Sequence, residues 1–316
     1  MNKQANLAFL FPGQGSQTVG MLSEYADNEI VKSTFTAASQ VLGYDLWQLA
    51  QEGPQEKINQ TEITQPLLLT ASVALWRVWQ DKTDVVPSFV AGHSLGEWSA
   101  LVCAGVVAFE DAVRLVQLRG RYMQEAVPQG EGAMAAIIGL DDNVVEDICA
   151  DIQTDSAVVA PVNYNSPGQL VIAGAAGAVE KAIAACKEAG AKRALPLPVS
   201  APFHTLMMKP AAEKLAEQIS TTTFNTPQIG VVHNVTAGLE SDAIKIKDIM
   251  IQQIYGAVRW VECVQFLVKN GVDTAVECGA GKVLTGLSKR IDRSINSYTT
   301  DSVDALNATL ESVATK

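Results

Sequence analysis

The chain has 316 residues and a net charge of −11, with 48% of its residues hydrophobic and 18% charged. That length allows about two domains with a real core, and the composition is globular, without low-complexity tracts. The acidic balance argues against nucleic acid as a partner, and no apolar stretch reaches the roughly 18 residues needed to cross a bilayer.

Met1-Asn2-Lys3-Gln4 leads straight into a strand-like Leu7–Phe11, so no secretory leader is expected. Cysteines 103, 149, 186, 263 and 278 are scattered, odd in number and free of C-x-x-C spacing. They are expected to be reduced core thiols of a cytoplasmic protein. The loop Phe11-Pro12-Gly13-Gln14-Gly15-Ser16-Gln17 lacks the third glycine of a dinucleotide fingerprint. Its glycines let the Gln14 backbone approach a ligand, where the N–H can serve as an oxyanion donor; a purely structural turn is the alternative. No Walker loop is present, and His93, His204 and His233 form no metal-ligand spacing. No cofactor or metal is therefore expected, and side chains must do the chemistry. Helical segments follow to about residue 80, with Gln65–Gln80 the clearest.

Gly92-His93-Ser94-Leu95-Gly96 lies between an apolar strand, Ser88–Ala91, and a helix-like Glu97–Ala104. This is the context of a nucleophile elbow: the turn holds Ser94 out of the backbone and aims the Leu95 amide at a developing oxyanion. A serine hydroxyl needs a base. His93 adjoins Ser94 in an extended segment, so strand alternation turns it to the opposite face. His233 ends the apolar run Ile229–Val232 and reads as a hydrogen-bonded structural residue. His204 sits in Pro198-Val199-Ser200-Ala201-Pro202-Phe203-His204, a proline-stiffened loop at a domain junction, where clefts form. It is the expected base. No Asp or Glu lies close to it in sequence, so a backbone or amide carbonyl is an alternative means of orienting the ring.

The segment Phe109–Ala126 reads as a helix with an apolar stripe of Ala112, Leu115, Val116, Tyr122, Met123 and Ala126. Arg119 falls on that stripe, while Arg114 and Arg121 fall off it. A guanidinium on a buried face needs an anion. Two readings stand: an internal Asp or Glu, or the carboxylate of a substrate gripped bidentately.

From residue 132 the pattern changes. Ala133–Leu140 is strand-like and Asp141–Ile152 helical. Ala157–Asn163 and Leu170–Ala173 are strands around Ser166-Pro167-Gly168. Ala175–Ala189 is helical and Lys192–Pro198 extended. That β-α-β-β-α-β order is the ferredoxin-like plan. Alternating elements then resume at Ile229–Asn234, Ile244–Tyr255, Val261–Asn270, Thr274–Glu277, Lys282–Ile291 and Asn307–Val313. The expectation is an α/β chain: a parallel domain of residues 1–128 and 199–316, interrupted by a small one at 129–198.

Taken together, the Phe11–Gln17 loop, Gly92–Glu97, Gln117-Leu118-Arg119-Gly120, Asn163-Tyr164-Asn165-Ser166-Pro167-Gly168-Gln169, Val199–Met208 and Glu277–Gly281 resemble the malonyl-CoA:acyl carrier protein transacylase family. The resemblance spans nearly the whole chain. It implies an α/β-hydrolase-like large domain with a ferredoxin-like insert. It also implies Ser94 as nucleophile, His204 as base, Gln14 and Leu95 as oxyanion donors, and Arg119 as the clamp on the malonate carboxylate. Gln253, within Ile251-Gln252-Gln253-Ile254-Tyr255, matches the glutamine whose carbonyl orients the histidine, and His93 and Asn165 would line the site. Malonyl-CoA and acyl carrier protein are the implied substrates, in a ping-pong transfer serving fatty-acid synthesis, and a monomer is expected. Ala280 stands where a proline is usual and Trp98 where a tyrosine is common, while Phe203 resembles malonyl-selective members.

Acyl carrier proteins are acidic, so docking on an acidic enzyme needs a local basic patch. Lys192-Arg193 and Lys289-Arg290 are the dense basic clusters expected to flank the cleft mouth; solvated surface is the alternative. An acyl hydrolase or thioesterase with the same Ser/His pair, a polyketide acyltransferase acting in trans and a non-catalytic carrier-binding partner are the competing readings.

Overall fold

The computed structural model describes residues 2–199 and 201–314. Ser200 of the expected junction loop, and residues 1 and 315–316 of the expected large domain, lie outside the described residues. In chain order the elements are β1 (Asn2–Phe11), α1 (Glu29–Leu42), α2 (Leu46–Glu52), α3 (Gln55–Ile58), α4 (Thr61–Lys82), β2 (Val85–Gly92), α5 (Leu95–Cys103) and α6 (Phe109–Glu125). Then come β3 (Gly132–Ile138), α7 (Asp142–Ile152), β4 (Val159–Ser166), β5 (Gln169–Ala175), α8 (Ala176–Glu188) and β6 (Arg193–Pro196). The remainder is α9 (Lys209–Thr221), β7 (Gly230–Val232), α10 (Ala243–Gln252), α11 (Trp260–Lys269), β8 (Thr274–Glu277), α12 (Val283–Ile291), β9 (Asn296–Thr299) and α13 (Val303–Val313).

The larger sheet has the order β7-β2-β1-β8-β9, and every pairing in it is parallel. Parallel strands need helical crossovers and bury both faces, which accounts for the unbroken apolar run Leu7–Phe11, all 2% exposed or less. Phe9 anchors α4 by packing edge-on against Trp76 and Trp79, each at 5.1 Å. The chain begins in the middle of this sheet, builds outward through β2, and later fills the other side with β8 and β9. Such a reversal of winding opens a crevice beyond the carboxyl ends of the central strands. The Gln14 loop leaves β1 there and the Ser94 turn leaves β2 there. The elbow glycines are a packing requirement: a Cβ on Gly92 would strike the Gly96 backbone, and one on Gly96 would strike the Phe11 carbonyl.

The smaller sheet runs β4-β5-β3-β6, antiparallel throughout. With α7 and α8 it realises the expected β-α-β-β-α-β plan, around its own core of residues such as Ile137, Val145, Ile172 and Val179. A main-chain seam ties it to the rest: Tyr164 N–H donates to Val258 O at 3.0 Å, and Val258 N–H to Val162 O at 2.8 Å. That seam fixes the β4–β5 hairpin beside the crevice.

Helix α9 and strand β9 have no counterpart in the sequence reading. The first carries Pro210 in its opening turn, where a missing N–H costs a helix nothing. The second is a four-residue edge strand with no fully buried residue. Trp98 is buried edge-on against Phe224, and Ala280 is buried between two glycines of positive φ. No helix among the described residues is long and apolar enough to cross a membrane.

Candidate active site

Ser94 caps α5 at φ 52 and ψ −106, a conformation costly for an L-residue. The turn brings its Oγ to 2.8 Å from His204 Nε2, across 110 residues of sequence. His204 also has positive φ, at 64°. Its Nδ1 lies 2.8 Å from the Gln253 carbonyl and 3.1 Å from that of Gly256. Carbonyls only accept, so Nδ1 carries the ring proton and Nε2 is left bare to receive the serine's. Burial, and then the Arg119 charge, push the His204 imidazolium down to about 3, against the smaller opposing effect of these carbonyl bonds. The ring is therefore neutral at pH 7. The orienting carbonyl is the main chain of Gln253.

Arg119, on α6, is 1% exposed. Gly120 lets the helix close on α4, because a Cβ there would strike the Thr61 carbonyl. At that approach Arg119 Nη1 donates to Gln65 Oε1 at 2.8 Å. Nη2 donates to Gln253 Oε1 at 2.9 Å and to Ser94 Oγ at 3.2 Å. Nε is buried with no partner among the described residues. Every one of these acceptors is neutral, and among the described residues no carboxylate pairs with Arg119, whereas Arg114 and Arg121 make exposed pairs with Asp111 and Glu62. Burial lowers the guanidinium to about 10, with the Glu97 charge acting the other way. It stays charged at neutral pH.

These groups line a cavity of about 130 Å³ with Gln14, Gln65, His93, Leu95, Asn163, Met123, Met134, Leu197, Val199 and Phe203. That is well under the roughly 300 Å³ at which drug-sized pockets begin and suits a short acyl group. Leu95 opens α5, so its N–H is one the helix leaves without an internal acceptor. Gln14 faces the same space from the β1 loop.

Against the expectation from strand alternation, His93 also lines the cavity. Alternation ends at the elbow, where the positive φ of Ser94 redirects the chain. His93 Nε2 donates to Asn165 Oδ1 at 2.8 Å, its ring packs on Trp260 at 5.5 Å, and burial lowers its pKa. His233 is the internal residue expected of it: fully buried, with Nδ1 2.7 Å from Glu97 Oε1.

Three contributors were not foreseen: Gln65, Glu97 and Asn234. Glu97 is wholly buried and accepts from His233, from the Asn234 N–H at 3.2 Å and from Gln253 Nε2 at 2.8 Å. Gln253 therefore shows its carbonyl oxygen to Arg119 and its amide nitrogen to Glu97. A glutamate three residues after the serine is the sole sequence signal for this network, and it does not reveal partners more than 130 residues away.

The basic clusters lie elsewhere. Lys192 and Arg290 line a separate, open cleft with Leu140, Ser166 and Gln169, and Arg290 Nη1 donates to Gln169 Oε1 at 2.6 Å. Arg193 and Lys289 are exposed beside them. The β4–β5 hairpin links the two places, giving Asn163 to the cavity, Asn165 to His93 and Ser166–Gln169 to the cleft.

Residues 8–303 match the model of the acyl transferase domain family. The malonyl CoA-acyl carrier protein transacylase of Salmonella typhimurium is 57% identical over 304 residues, which cover 96% of this chain and 98% of that protein. The enzyme of the same name from Escherichia coli K12 is 56% identical over 305 residues, with the same coverage. A crystal structure of an acyl carrier protein S-malonyltransferase from Vibrio cholerae superposes with a TM-score of 0.94 at 56% identity, over 96% of this chain and 99% of that one. A malonyl-transacylase in complex with a holo type II PKS acyl-carrier protein superposes with a TM-score of 0.95 at 52% identity, over 97% and 99%. With its parallel sheet, its inserted antiparallel sheet and near-complete coverage by such relatives, the chain belongs to the malonyl-CoA:acyl carrier protein transacylase family of acyltransferases.

Proposed function

We propose that the chain moves malonyl from malonyl-CoA to the phosphopantetheine thiol of acyl carrier protein, through a malonyl oxyester on Ser94, and so supplies extender units for fatty-acid synthesis. The observation that carries this reading is Arg119: a fully buried cation, bonded only to neutral acceptors, 3.2 Å from the Ser94 hydroxyl. A charge left so poorly compensated is costly, and the free carboxylate of malonate compensates it.

The steps follow from the hydrogen bonds. His204 Nε2 takes the Ser94 proton as Oγ attacks the thioester carbonyl. The oxygen of the tetrahedral intermediate gathers negative charge, which the Leu95 and Gln14 N–H groups receive; one such donor is worth about 3 kcal/mol of barrier. The Gln253 and Gly256 carbonyls stabilise the imidazolium formed meanwhile. Collapse expels the CoA thiolate, which recovers the proton from His204. The carrier's thiol then gives its proton to the same nitrogen and attacks the oxyester, restoring Ser94. Exchanging one thioester for another is nearly isoenergetic, so no nucleotide is required.

His93 lines the acyl pocket on the side of the small sheet and is held there by its hydrogen bond to Asn165. Lys192, Arg193, Lys289 and Arg290 receive the carrier, a role supported by Lys192 and Arg290 facing one cleft from opposite sides of the seam. The five free thiols fit a reducing cytoplasm. Similarity to a transacylase held by a PKS carrier favours a second reading, in which a polyketide carrier is also served.

Intact-mass spectrometry tests the proposal. Malonyl-CoA leaves a malonyl adduct on Ser94, and added holo carrier protein removes it and gains the same mass. An adduct that decays to free malonate while the carrier stays unmodified marks a hydrolase instead.

A further inference from the structure

The strained backbone of Ser94 needs something to hold it. Strand β1 reaches only as far as the His93 N–H, which donates to Phe11 O at 3.0 Å, and Gln253 Nε2 donates to the Ser94 carbonyl at 2.8 Å. On the β7 side the sheet does not reach the Ser94 N–H. The ladder between β2 and β7 ends at Ala91 paired with Val232. Two residues on, the fully buried Asn234 continues it with a side chain. Its Oδ1 accepts the Ser94 N–H at 2.8 Å, and its Nδ2 donates to the Gly92 carbonyl at 2.7 Å. A carboxamide has the donor and acceptor of a peptide unit, so Asn234 stands in for the strand at the point where β2 turns away. Asn234 is itself fixed at both main-chain groups. Its N–H donates to Glu97 Oε2 at 3.2 Å, and its carbonyl accepts the Arg259 N–H at 3.1 Å.

We propose that Asn234 is a positioning residue of the nucleophile, clamping the elbow on both sides of His93 so that Ser94 Oγ stays aimed at His204. The proposal rests on Ser94 being the acylated residue. Asn234 does not line the cavity, and the hydrogen bonds of Arg119 run to Gln65, Gln253 and Ser94. Its removal should therefore slow attack without changing which acyl group is preferred, which a residue serving only the fold would not do.

The test is rapid-quench measurement of acyl-Ser94 formation in the full chain, with malonyl-CoA and with acetyl-CoA. Asn234→Ala is expected to slow acylation about 100-fold, the penalty for misplacing a reacting group by around an ångström. Asn234→Asp keeps the acceptor for Ser94 and the volume but loses the donor to Gly92, and is expected to fall between; it carries the test if Asn234→Ala does not fold. In both, the KM for malonyl-CoA and the malonyl-to-acetyl preference stay at the parental values. A folded variant that acylates at the parental rate, even with a lowered Tm, overturns the proposal. So does a loss confined to malonyl, which would place Asn234 in the carboxylate clamp. A parent chain that takes no acyl group on Ser94 removes the underlying reading instead, and the parental control tells the two failures apart.

Discussion

The cavity and the cleft both present positive charge to an anionic partner, and they do so in opposite physical regimes. Arg119 is sealed in, with its donors fixed on neutral oxygens and little water to screen it. Lys192 and Arg290 stand exposed in an open cleft, with Arg290 reaching a neutral oxygen of Gln169. A buried charge acts strongly at short range and discriminates chemistry; an exposed one acts weakly, over a Debye length, and guides encounter. On the proposed function, one chain selects a small acyl group by its carboxylate and a whole protein by its field.

The largest effect expected from breaking this contrast comes at Arg119. Arg119→Ala removes the partner of a buried carboxylate, a change worth about 3–5 kcal/mol, or roughly two to nearly four powers of ten in kcat/KM for malonyl-CoA. Acetyl loading onto Ser94 should survive, so steady-state kinetics with the two thioesters should show the preference collapse. Arg119→Lys should not restore it, because one ammonium does not reproduce the fork that reaches Gln65 and Gln253 together. A variant that still prefers malonyl would make Arg119 a packing element.

In the cleft, Lys289→Glu with Arg290→Glu should raise the KM for carrier protein about ten-fold, the scale for reversing two rim charges. Malonyl loading from CoA should be untouched, since neither residue lines the cavity. Unchanged carrier kinetics would leave these residues as solvated surface.

The acid side separates chemistry from stability. Since His204 is held near 3 when folded, the base stays free well below its ordinary 6.5, and the acylation rate per folded molecule should be nearly the same at pH 5.5 as at pH 7. Stability behaves otherwise. The unfolded chain binds a proton on His204 below about 6.5 that the folded chain refuses, and His93 is lowered in the same direction. The stabilisation is complete above 6.5 and erodes as pH falls toward the folded value. Urea midpoints at pH 7 and pH 5 should show the drop, and His204→Gln should lessen it.

What sequence could reveal divides along local and distant contacts. The elbow was legible because strand, glycines and helix are contiguous, and Arg119 because helical periodicity marks a buried face. The small sheet was legible for a similar reason: its strands and helices follow one another directly in the chain, in a β-α-β-β-α-β order. Gln253 and Asn165 came only with the family resemblance, because a single polar residue carries no periodic signal, whereas the glycines flanking Gln14 already offered its N–H as an oxyanion donor, with a purely structural turn as the alternative. Glu97, Asn234 and Gln65 stayed hidden because their partners are set by folding across 54 to 156 residues. Strand alternation turns His93 to the wrong face because the rule holds only while the strand continues, and it is the family resemblance that puts His93 at the site, where it lines the cavity.

Ionic strength probes the contrast most gently, and without mutation. Raising salt from about 0.05 M to 0.5 M shortens the Debye length from over 10 Å to under 5 Å. Exposed cations steering an acidic carrier lose a few-fold in association rate under that change. A guanidinium at 1% exposure is screened far less, so the rate of malonyl loading from a saturating pool of malonyl-CoA should barely respond. Measuring both half-reactions across the same salt series therefore compares the two regions in one preparation. A loading step that weakens in parallel with carrier transfer would mean that Arg119 is wetted during turnover, and that the cavity opens further than its resting geometry requires.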